Sequence, residues 1–455
     1  MSRHPASFRD PSGFLFEREG VLYRQVNRNY RHHYRRLMDS GMYDELVQQG
    51  LLVAHREADI EPEDRSRAHA VLRPDRVPFI SYPYEWSFDA LRDAALLTLR
   101  IQERALEHDM ILKDASAFNV QFEGARPVFI DTLSFEIYEE GRPWPAYRQF
   151  CQHFLAPLAL MARVDVGLGR LLLAHIDGIP LSVASRTLPL RSWLSLSTLL
   201  HIHLHAAGQS RLVSSSGASE RTVSRRSLQG LVDSLASAVR RMRWKPQGEW
   251  RDYYDGGSYT SEAFTGKKRL VGEYLRSIDP ETVWDLGSNV GVFSRMAAED
   301  GARVISVDAD PACVQLNYRE NADQGCDVLP LWVDLCNPSP DVGWANRERD
   351  SLASRGPADA VMALALVHHL AIGSNVPLPE IAEYFALLGR DLIVEFVPKE
   401  DPRVRTMLGS REDIFSEYHR GGFEEAFRHH FEVQRSEGIP DSERILYLMR
   451  GRHRT

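Results

Sequence analysis

One segment, VWDLGSNVGVFS at residues 283–294, constrains the fold of this chain more than any other. Its apolar start is typical of the end of a buried strand, which places Asp285 at the carboxyl tip of that strand. A turn with Gly287, Asn289 and Gly291 follows, and the apolar residues after it are typical of a helix start. Ligands bind at such turns in open α/β sheets, because the backbone can approach closely and the helix N-terminus offers free N–H groups. The segment therefore predicts an α/β sheet with a ligand site at this turn.

The acidic residues at the predicted strand ends indicate which ligand binds there. A carboxylate at Asp285 repels a dinucleotide pyrophosphate but suits the cationic amino group of S-adenosylmethionine, and the turn lacks the third glycine of the dinucleotide fingerprint. Asp308 ends a second β-rich run, at about the twenty-residue distance expected of a ribose-binding acid. Asp334 ends a third run, where it can reach the exocyclic amine of adenine. We predict that this turn binds S-adenosylmethionine.

The pattern of strands and helices supports a parallel sheet. Five β-rich runs, at residues 283–284, 302–307, 328–333, 358–366 and 391–397, alternate with helical segments that include 310–322 and 379–388. Strands that alternate with helices in this way are typical of a parallel sheet covered by helices.

Taken in order, DLGSNVGVFS, VDAD, VDL and ALALVHHL resemble the successive motifs of class I S-adenosylmethionine-dependent methyltransferases, from about Tyr259 to Arg450. The resemblance implies an α/β fold with a Rossmann-like sheet of seven strands and helices on both faces. It also implies a final antiparallel strand pair, for which residues 431–435 and 444–449 are candidates. Asn289 stands where many members of the family carry glycine. The implied cofactor-binding residues are Asp285, Gly287, Ser288, Asn289, Gly291, Asp308, Ala309, Asp334, Leu335, Ala363 and Tyr259.

Two histidines and a glutamate are candidates for catalysis. His368 and His369 follow the fourth run, at the rim where the methyl acceptor would sit, and a histidine there can accept a proton from a hydroxyl group. The alternative is that they shape the pocket or cap the next helix. Glu395, at the end of the fifth run, is a second acid-base or substrate-contact candidate. The expected reaction is methyl transfer to a small-molecule, glycan or natural-product acceptor, through oxygen, with catalysis mainly by positioning.

A second group of polar residues lies in ILKDASAFNVQFEGARPVFIDT, residues 111–132. Two short apolar runs are predicted to form a hairpin that brings Asn119 and Asp131 to neighbouring positions. Their oxygens suit a divalent metal, with Asp114 as a base near an incoming hydroxyl group. The arrangement resembles the catalytic loop and metal-binding aspartate of protein-kinase-like folds, in particular the small-molecule phosphotransferase and lipopolysaccharide-kinase branches. It implies an N-terminal α+β kinase-like domain, with Mg-ATP as its cofactor if the site is active.

Several features depart from an active kinase. No lysine precedes Lys113, no glycine-rich loop occurs in residues 13–26, where a hairpin is predicted, and no histidine or arginine comes directly before Asp114. Arg24 could replace the missing lysine, although a guanidinium fork differs from a point charge. Three interpretations stay open: a degenerate kinase-like domain, an active phosphotransferase, or an unrelated α+β domain in which the Asp and Asn side chains satisfy turn backbone.

Composition sets the domain organisation. The 455 residues are enough for two domains. We predict a kinase-like domain over residues 1–208, a serine-rich linker over 209–227 and a methyltransferase domain over 228–455. An amphipathic helix predicted at 228–242 is expected to pack on the sheet domain, or alternatively to bind a membrane surface or a partner.

The same composition excludes several classes of function. No apolar run approaches the roughly twenty residues of a membrane span, and the N-terminus lacks the apolar stretch of a signal peptide. The four cysteines contain no C-x-x-C pair, which is typical of a reduced, cytoplasmic protein. The predicted sheet domain is not strongly basic, and no base-clamping motif follows the fourth run, so no nucleic-acid partner is expected. The oligomeric state stays open.

The sequence thus predicts a cytoplasmic S-adenosylmethionine-dependent methyltransferase whose kinase-like domain binds substrate or regulates. One alternative is a bifunctional phosphotransferase-methyltransferase acting on a saccharide-like substrate. Another is a non-catalytic scaffold that keeps S-adenosylmethionine as a structural ligand, and the intact acids Asp285, Asp308 and Asp334 argue against it.

Overall fold

A computed structural model of the chain describes residues 2–206, 222–247, 260–409 and 412–452. Its internal contacts divide the chain into two units. Unit 1 comprises Met1–Lys245 with Asp341–Arg349, and unit 2 comprises Pro246–Pro340 with Asp350–Thr455. Most of the predicted linker, residues 209–221, lies outside the described residues. No helix in the described ranges is long and apolar enough to span a membrane.

Unit 1 begins with a five-stranded antiparallel sheet. Its strands are β1 (Ser2–Arg3), β2 (Gly13–Arg18), β3 (Val21–Asn27), β4 (His55–Glu57) and β5 (Ala68–Pro74), in the order β1-β2-β3-β5-β4. The β2–β3 pair is the hairpin predicted within residues 13–26. Helices α1 (Arg31–Asp39) and α2 (Met42–Gln48) lie between β3 and β4 in the chain. The buried residues Tyr30 and Tyr34 pack against Val26, Leu72 and Leu133, which joins α1 to the sheet.

The rest of unit 1 is mainly helical. Its strands form two short antiparallel pairs, β6 (Met110–Leu112) with β9 (Phe135–Ile137) and β7 (Val120–Glu123) with β8 (Arg126–Phe129). Its helices are α3 (Phe88–Glu107), α4 (Tyr147–Phe150), α5 (Ala156–Arg163), α6 (Leu171–Ala174), α7 (Leu181–Thr187), α8 (Leu196–Thr198) and α9 (Arg225–Arg241). The β7–β8 pair is the hairpin predicted between Asn119 and Asp131.

Helix α9 differs from its predicted place. Its amphipathic pattern is present, with Leu228, Val232, Leu235 and Val239 buried. The helix packs along α3 and belongs to unit 1, whereas the sequence boundary at residue 228 placed it on the sheet domain. An amphipathic period shows that one face of a helix is covered but does not show which element covers it.

Unit 2 contains a seven-stranded sheet with six helices among its described residues. The strands are β10 (Thr282–Leu286), β11 (Arg303–Asp308), β12 (Val328–Trp332), β13 (Ala358–Ala363), β14 (Gly389–Phe396), β15 (Phe431–Gly438) and β16 (Ile445–Gly451). The helices are α10 (Ser261–Ile278), α11 (Val292–Glu299), α12 (Pro311–Gln324), α13 (Leu378–Leu388), α14 (Pro402–Leu408) and α15 (Arg420–Arg428).

The strand order is β12-β11-β10-β13-β14-β16-β15. Strands β10 to β14 are parallel to one another, and β16 is antiparallel to both β14 and β15. Every residue of β12 is buried, which requires cover on both faces of the sheet. The predicted Rossmann-like sheet of seven strands, with a final antiparallel pair, is confirmed by this topology.

The register of the central strands positions the site. Leu286 of β10 pairs with Val307 of β11 and with Ala363 of β13, so the carboxyl ends of these three strands lie at one level. Strand β13 ends at Ala363 rather than at the predicted residue 366. Ala365 has a φ of 52°, a left-handed conformation that cannot continue a strand. The residues after all three strands therefore meet at one edge of the sheet.

Candidate cofactor and acceptor site

The turn after β10 has left-handed backbone at three positions. The φ angles are 72° at Gly287, 53° at Asn289 and 79° at Gly291. A Cβ atom at Gly291 would lie 2.0 Å from Asn317 Oδ1, so only glycine fits there. Asparagine tolerates the left-handed region because its short polar side chain bonds locally, and here Asn289 Oδ1 accepts a hydrogen bond from the Val290 N–H at 2.7 Å. This explains why Asn289 can stand where glycine is common in the family that the sequence resembles.

Asp285 lies beneath this turn. Its side chain is buried, and its Oδ2 accepts a hydrogen bond of 2.5 Å from Ser294 Oγ at the start of α11. Burial raises the pKa of Asp285 to about 6, against the opposing effects of Ser294 and Lys267. The carboxylate thus joins the strand tip to the helix. The predicted contact between Asp285 and a cofactor amino group stays a prediction.

Asp308, at the end of β11, holds the turn from the other side. Its Oδ2 accepts the Asn289 N–H at 2.7 Å and its Oδ1 accepts the Asp310 N–H at 2.8 Å. Burial raises the pKa of Asp308 to about 6, although these backbone donors favour the charged form. The carboxylate is therefore fixed by two backbone hydrogen bonds, and its predicted contact with ribose stays a prediction.

A cavity of about 520 Å³ lies where the strand ends of unit 2 meet. Its volume lies within the range of about 300–1,000 Å³ that is usual for small-molecule sites. The predicted residues in its wall are Gly287, Asn289, Asp308, Ala309, Asp334, Leu335 and His369. The predicted residues Asp285, Ser288, Gly291, Ala363, His368 and Glu395 lie outside that wall, and Tyr259 lies outside the described residues. Six of the residues predicted to bind the cofactor therefore surround one cavity.

Within the described ranges, one buried polar atom of the turn has no hydrogen-bond partner. Ser288 Oγ is buried and has no hydrogen-bond partner among the described residues. A buried hydroxyl group without a partner is costly, and such groups often mark the position of a ligand or water. Ser288 does not line the cavity, whereas the acids Asp308 and Asp334 do, and these acids suit a ligand that carries hydroxyl and amine groups.

The two predicted histidines occupy different positions. His369 lines the cavity, whereas His368 is buried behind it, with the two ring centroids 4.2 Å apart. Burial lowers the pKa of both imidazoles, and the neighbouring His369 and the cation Arg444 lower the pKa of His368 further. A histidine whose pKa is lowered is neutral at pH 7, so His369 can accept a proton there.

Sequence reasoning missed Lys267, which also lines the cavity. Its Nζ lies 2.6 Å from Glu395 Oε2, and Arg444 Nη1 lies 3.2 Å from Glu395 Oε1. The predicted acid-base candidate Glu395 is thus held between two cations behind the cavity. The signal for Lys267 was present, since it is a charged residue on the apolar face of α10, four residues from the buried Ala263 and Val271.

In unit 1 the structure brings Asn119 and Asp131 together through Ser134. Asn119 Nδ2 donates to Ser134 Oγ at 3.1 Å, and that hydroxyl group donates to Asp131 Oδ2 at 2.5 Å. Arg24 Nη2 lies 2.6 Å from Asp131 Oδ1, and both side chains are 14% exposed. The Asp131 carboxylate predicted to bind a metal is therefore paired with a guanidinium group.

Asp114, predicted as the base of this group, is mostly withdrawn from solvent. Burial raises its pKa, with a further contribution from the charge of Asp131. Its Oδ1 accepts the Ser116 N–H at 3.0 Å, as in an Asx turn. Within the described ranges, no three His, Cys, Asp or Glu side chains are grouped so that they could hold a metal ion.

The strand order and the cavity at the strand ends define unit 2 as a Rossmann-like fold of the class I methyltransferase type. Over 455 residues, the chain is 36% identical to nodulation protein NoeA of Rhizobium meliloti (strain 1021), covering 98% of this chain and 95% of that protein. The chain belongs to the NoeA family. No model of a protein family matches it.

Comparison with solved structures gives partial matches. Magnesium protoporphyrin IX methyltransferase (ChlM) from Synechocystis PCC 6803, with bound SAH, is 20% identical with a TM-score of 0.30, covering 44% of this chain and 92% of its own. The bifunctional kinase-methyltransferase WbdD is 15% identical with a TM-score of 0.29, covering 45% of this chain and 42% of its own. At these scores the fold assignment rests on the strand order, and not on these two likenesses.

Proposed function

We propose that this protein is an S-adenosylmethionine-dependent methyltransferase that acts on a hydroxyl group of a small molecule or glycan. One observation carries the proposal: the Gly287–Asn289 turn, Asp308 and Asp334 surround a single cavity at the carboxyl ends of β10 to β13. Parallel α/β sheets bind ligands at this edge. Bound S-adenosylmethionine supplies a methyl group on a sulfonium centre.

The residues of the cavity suit distinct parts of this cofactor. The Asp308 carboxylate, fixed by two backbone N–H groups, has lone pairs left to accept the two ribose hydroxyl groups. Asp334 and the neighbouring Leu335 lie in the wall where adenine is expected, with Asp334 Oδ1 held by the Cys336 N–H at 2.9 Å. Asp285 supports the turn through its hydrogen bond with Ser294, and neither Asp285 nor Ser288 lines the cavity.

His369 is the proposed proton acceptor for the methyl acceptor's hydroxyl group. It lies in the cavity wall with Lys267, and burial lowers its pKa, so that it is neutral at pH 7. Glu395 acts indirectly, by holding Lys267. Catalysis then consists of aligning the hydroxyl oxygen with the methyl group and excluding water, where positioning contributes several kcal/mol.

Unit 1 is proposed as a kinase-like module that binds substrate or regulates. A phosphotransferase that uses Mg-ATP would need the Asp131 carboxylate for the metal, and this carboxylate is paired with Arg24 at 2.6 Å. The Arg24–Asp131 ion pair therefore favours a role of unit 1 in substrate binding or regulation over phosphotransfer by a bifunctional enzyme.

Calorimetric titration of the full chain with S-adenosylhomocysteine tests the cofactor site. Asp308→Ala is expected to weaken binding at least about 30-fold, since hydrogen bonds to a charged group contribute about 1.5–3 kcal/mol each. Asp323→Ala is the matched control, because Asp323 is an exposed aspartate of α12 outside the cavity wall. Wild-type protein that binds no cofactor at about 1 mM would reject the proposal.

A second experiment separates a methyltransferase from a scaffold. The protein is incubated with methyl-labelled S-adenosylmethionine and fractionated glycans and small molecules, and the label is followed by mass spectrometry. His369→Gln is expected to lower transfer at least about 100-fold, within the usual contribution of a general base, while cofactor binding stays within about twofold. Binding without transfer to any fraction would favour the scaffold.

A further inference from the structure

Unit 1 contains a cavity of about 410 Å³ at one end of its five-stranded sheet, separate from the cavity of unit 2. It lies where the β2–β3 turn at Gly20, the start of β4 and the end of β5 meet. Its wall includes three arginines, Arg56, Arg73 and Arg76, and a single acidic residue, Asp75. Three positive charges against one negative charge leave a net charge of +2 in the wall. The predicted kinase-like residues Asp114, Asn119 and Asp131 are not part of it.

The register of β4 and β5 places two of these charges together. Arg56 and Arg73 are directly opposite each other across the antiparallel pair, with the next pair formed by His55 and Pro74. Side chains directly opposite have Cβ atoms about 4.5–5.5 Å apart on the same face, and like charges there are destabilising. Both side chains are exposed, and an anion bound between them would neutralise their repulsion.

Some arginines of unit 1 are neutralised by an acid of the same unit. Arg24 pairs with Asp131 and Arg92 with Asp89, both at less than 3 Å. Within the part of the chain that the structure describes, Arg56, Arg73 and Arg76 form no ion pair and no side-chain hydrogen bond, and Asp75 forms no ion pair with any of them. Three guanidinium groups in one wall are thus available to an incoming anion.

We infer that this cavity binds an oxyanion of the phosphate class, carried by a phosphorylated small molecule. A guanidinium group presents a planar fork of N–H donors that matches two oxygens of a phosphate group, and the fork keeps its charge at every physiological pH. A dianion matches the net charge of +2 in the wall. A cavity of this volume also has room for the rest of a small molecule. Because no predicted metal-binding residue takes part, the binding is independent of Mg²⁺.

The test uses the full chain and three probes. Inorganic pyrophosphate, phosphate and glucuronate are titrated calorimetrically without Mg²⁺, at low and at high salt. Pyrophosphate is expected to bind in the micromolar to low millimolar range, and at least about tenfold more tightly than the monoanion glucuronate, with affinity falling as salt rises. Absence of binding by pyrophosphate at about 10 mM would overturn the inference. Equal binding of glucuronate would overturn the phosphate class.

Variants locate the site. Arg56→Gln combined with Arg73→Gln is expected to weaken pyrophosphate binding at least about 30-fold, and Arg73→Lys alone to weaken it about fivefold through loss of the fork. Arg186→Gln, at an exposed arginine of α7 outside the cavity, is the matched control and should bind like the wild type. Without ligand, the double variant should melt at or above the wild-type temperature, because like charges are removed. Unchanged binding in the double variant would assign the anion to another place and overturn the inference.

Discussion

Lys267 Nζ lies 2.6 Å from Glu395 Oε2, and the two side chains are 1% and 0% exposed. The pair continues to Arg444, whose Nη1 contacts Glu395 at 3.2 Å and whose Nε contacts Asp401 at 2.8 Å. Two cations and two anions are therefore buried as one neutral chain from the cavity wall to the N-cap of α14. Burial lowers the pKa of Lys267, and Glu395 opposes this. Burying ions costs desolvation free energy, so stability does not explain this chain of ion pairs. Its effect is to hold the charge of Lys267 at the cavity wall.

Glu395→Gln should destabilise unit 2 strongly. The substitution leaves Lys267 buried without its carboxylate, so we expect the free energy of unfolding to fall by about 3–5 kcal/mol. Urea denaturation measures this. Asp391→Asn is the matched control on the same strand, since Asp391 pairs with Arg450, which is 65% exposed, and should change stability by less than about 1 kcal/mol. If both variants lost the same free energy of unfolding, removing one partner of the buried pair would cost no more than removing one partner of the exposed pair.

The sheet of unit 2 could be predicted because its signals are local. Central parallel strands are buried on both faces and therefore read as apolar runs, and the runs of the sequence correspond to β10 to β14. Asp285 is the penultimate residue of β10 and Asp308 is the last residue of β11, so both acids lie at the carboxyl ends of their strands. The last predicted residues of the fourth strand were wrong, because Ala365 turns the backbone into the left-handed region. Nothing in the amino-acid sequence around Ala365 indicates that its φ is positive.

Long-range pairings could not be predicted. Lys267 lies among apolar residues of α10, which indicates a buried lysine but not its partner, and Glu395 follows far along the chain. The same holds for Arg24, whose pairing with Asp131 needs the fold of unit 1 to be known. Periodicity shows which residues are buried. It does not show what lies opposite them.

The stability of unit 2 should carry a pH dependence from Asp285. Burial raises its pKa to about 6, above the value of about 3.9 in an unfolded chain, so the folded state binds more protons between these values. The contribution of Asp285 to the free energy of unfolding is therefore fully present below about pH 4 and is lost as the pH rises through about 6. We expect Asp285→Asn to be more stable than the wild type by about 2–3 kcal/mol at pH 7 and nearly equal to it at pH 4, because one pKa unit corresponds to about 1.4 kcal/mol. Urea denaturation at both pH values decides this, and a deficit of the same size at both would contradict it.

Gly291→Ala should disrupt the cofactor turn through a steric clash. Its φ is 79° and its Cβ would lie 2.0 Å from Asn317 Oδ1, so backbone strain and overlap act together. We expect a loss of about 3 kcal/mol or more in the free energy of unfolding, with loss of S-adenosylhomocysteine binding.

Gly325→Ala provides the control for that variant. Gly325 also has a positive φ, of 69°, at the end of α12, but no atom lies within 4 Å of the Cβ position. Only the conformational cost applies, so a loss of about 1 kcal/mol is expected, with cofactor binding retained. Calorimetric melting compares the two variants. If Gly291→Ala and Gly325→Ala lower the free energy of unfolding equally, then Asn317 moves aside and the turn is less constrained than the structure indicates.

The Arg24–Asp131 pair predicts how unit 1 responds to nucleotide. Because the guanidinium group lies 2.6 Å from the carboxylate, we expect no Mg²⁺-dependent heat when the full chain is titrated with ATP to about 1 mM. Asp131→Asn should lower the free energy of unfolding of unit 1 by about 1–3 kcal/mol, since it leaves Arg24 without its charged partner in a mostly buried place. Glu139→Gln, which breaks the exposed pair with Arg142, is the control and should cost less than about 0.5 kcal/mol. Mg²⁺-dependent ATP binding that Asp131→Asn abolishes would show that the ion pair opens to admit a metal. The bifunctional phosphotransferase-methyltransferase would then be the better explanation of this chain.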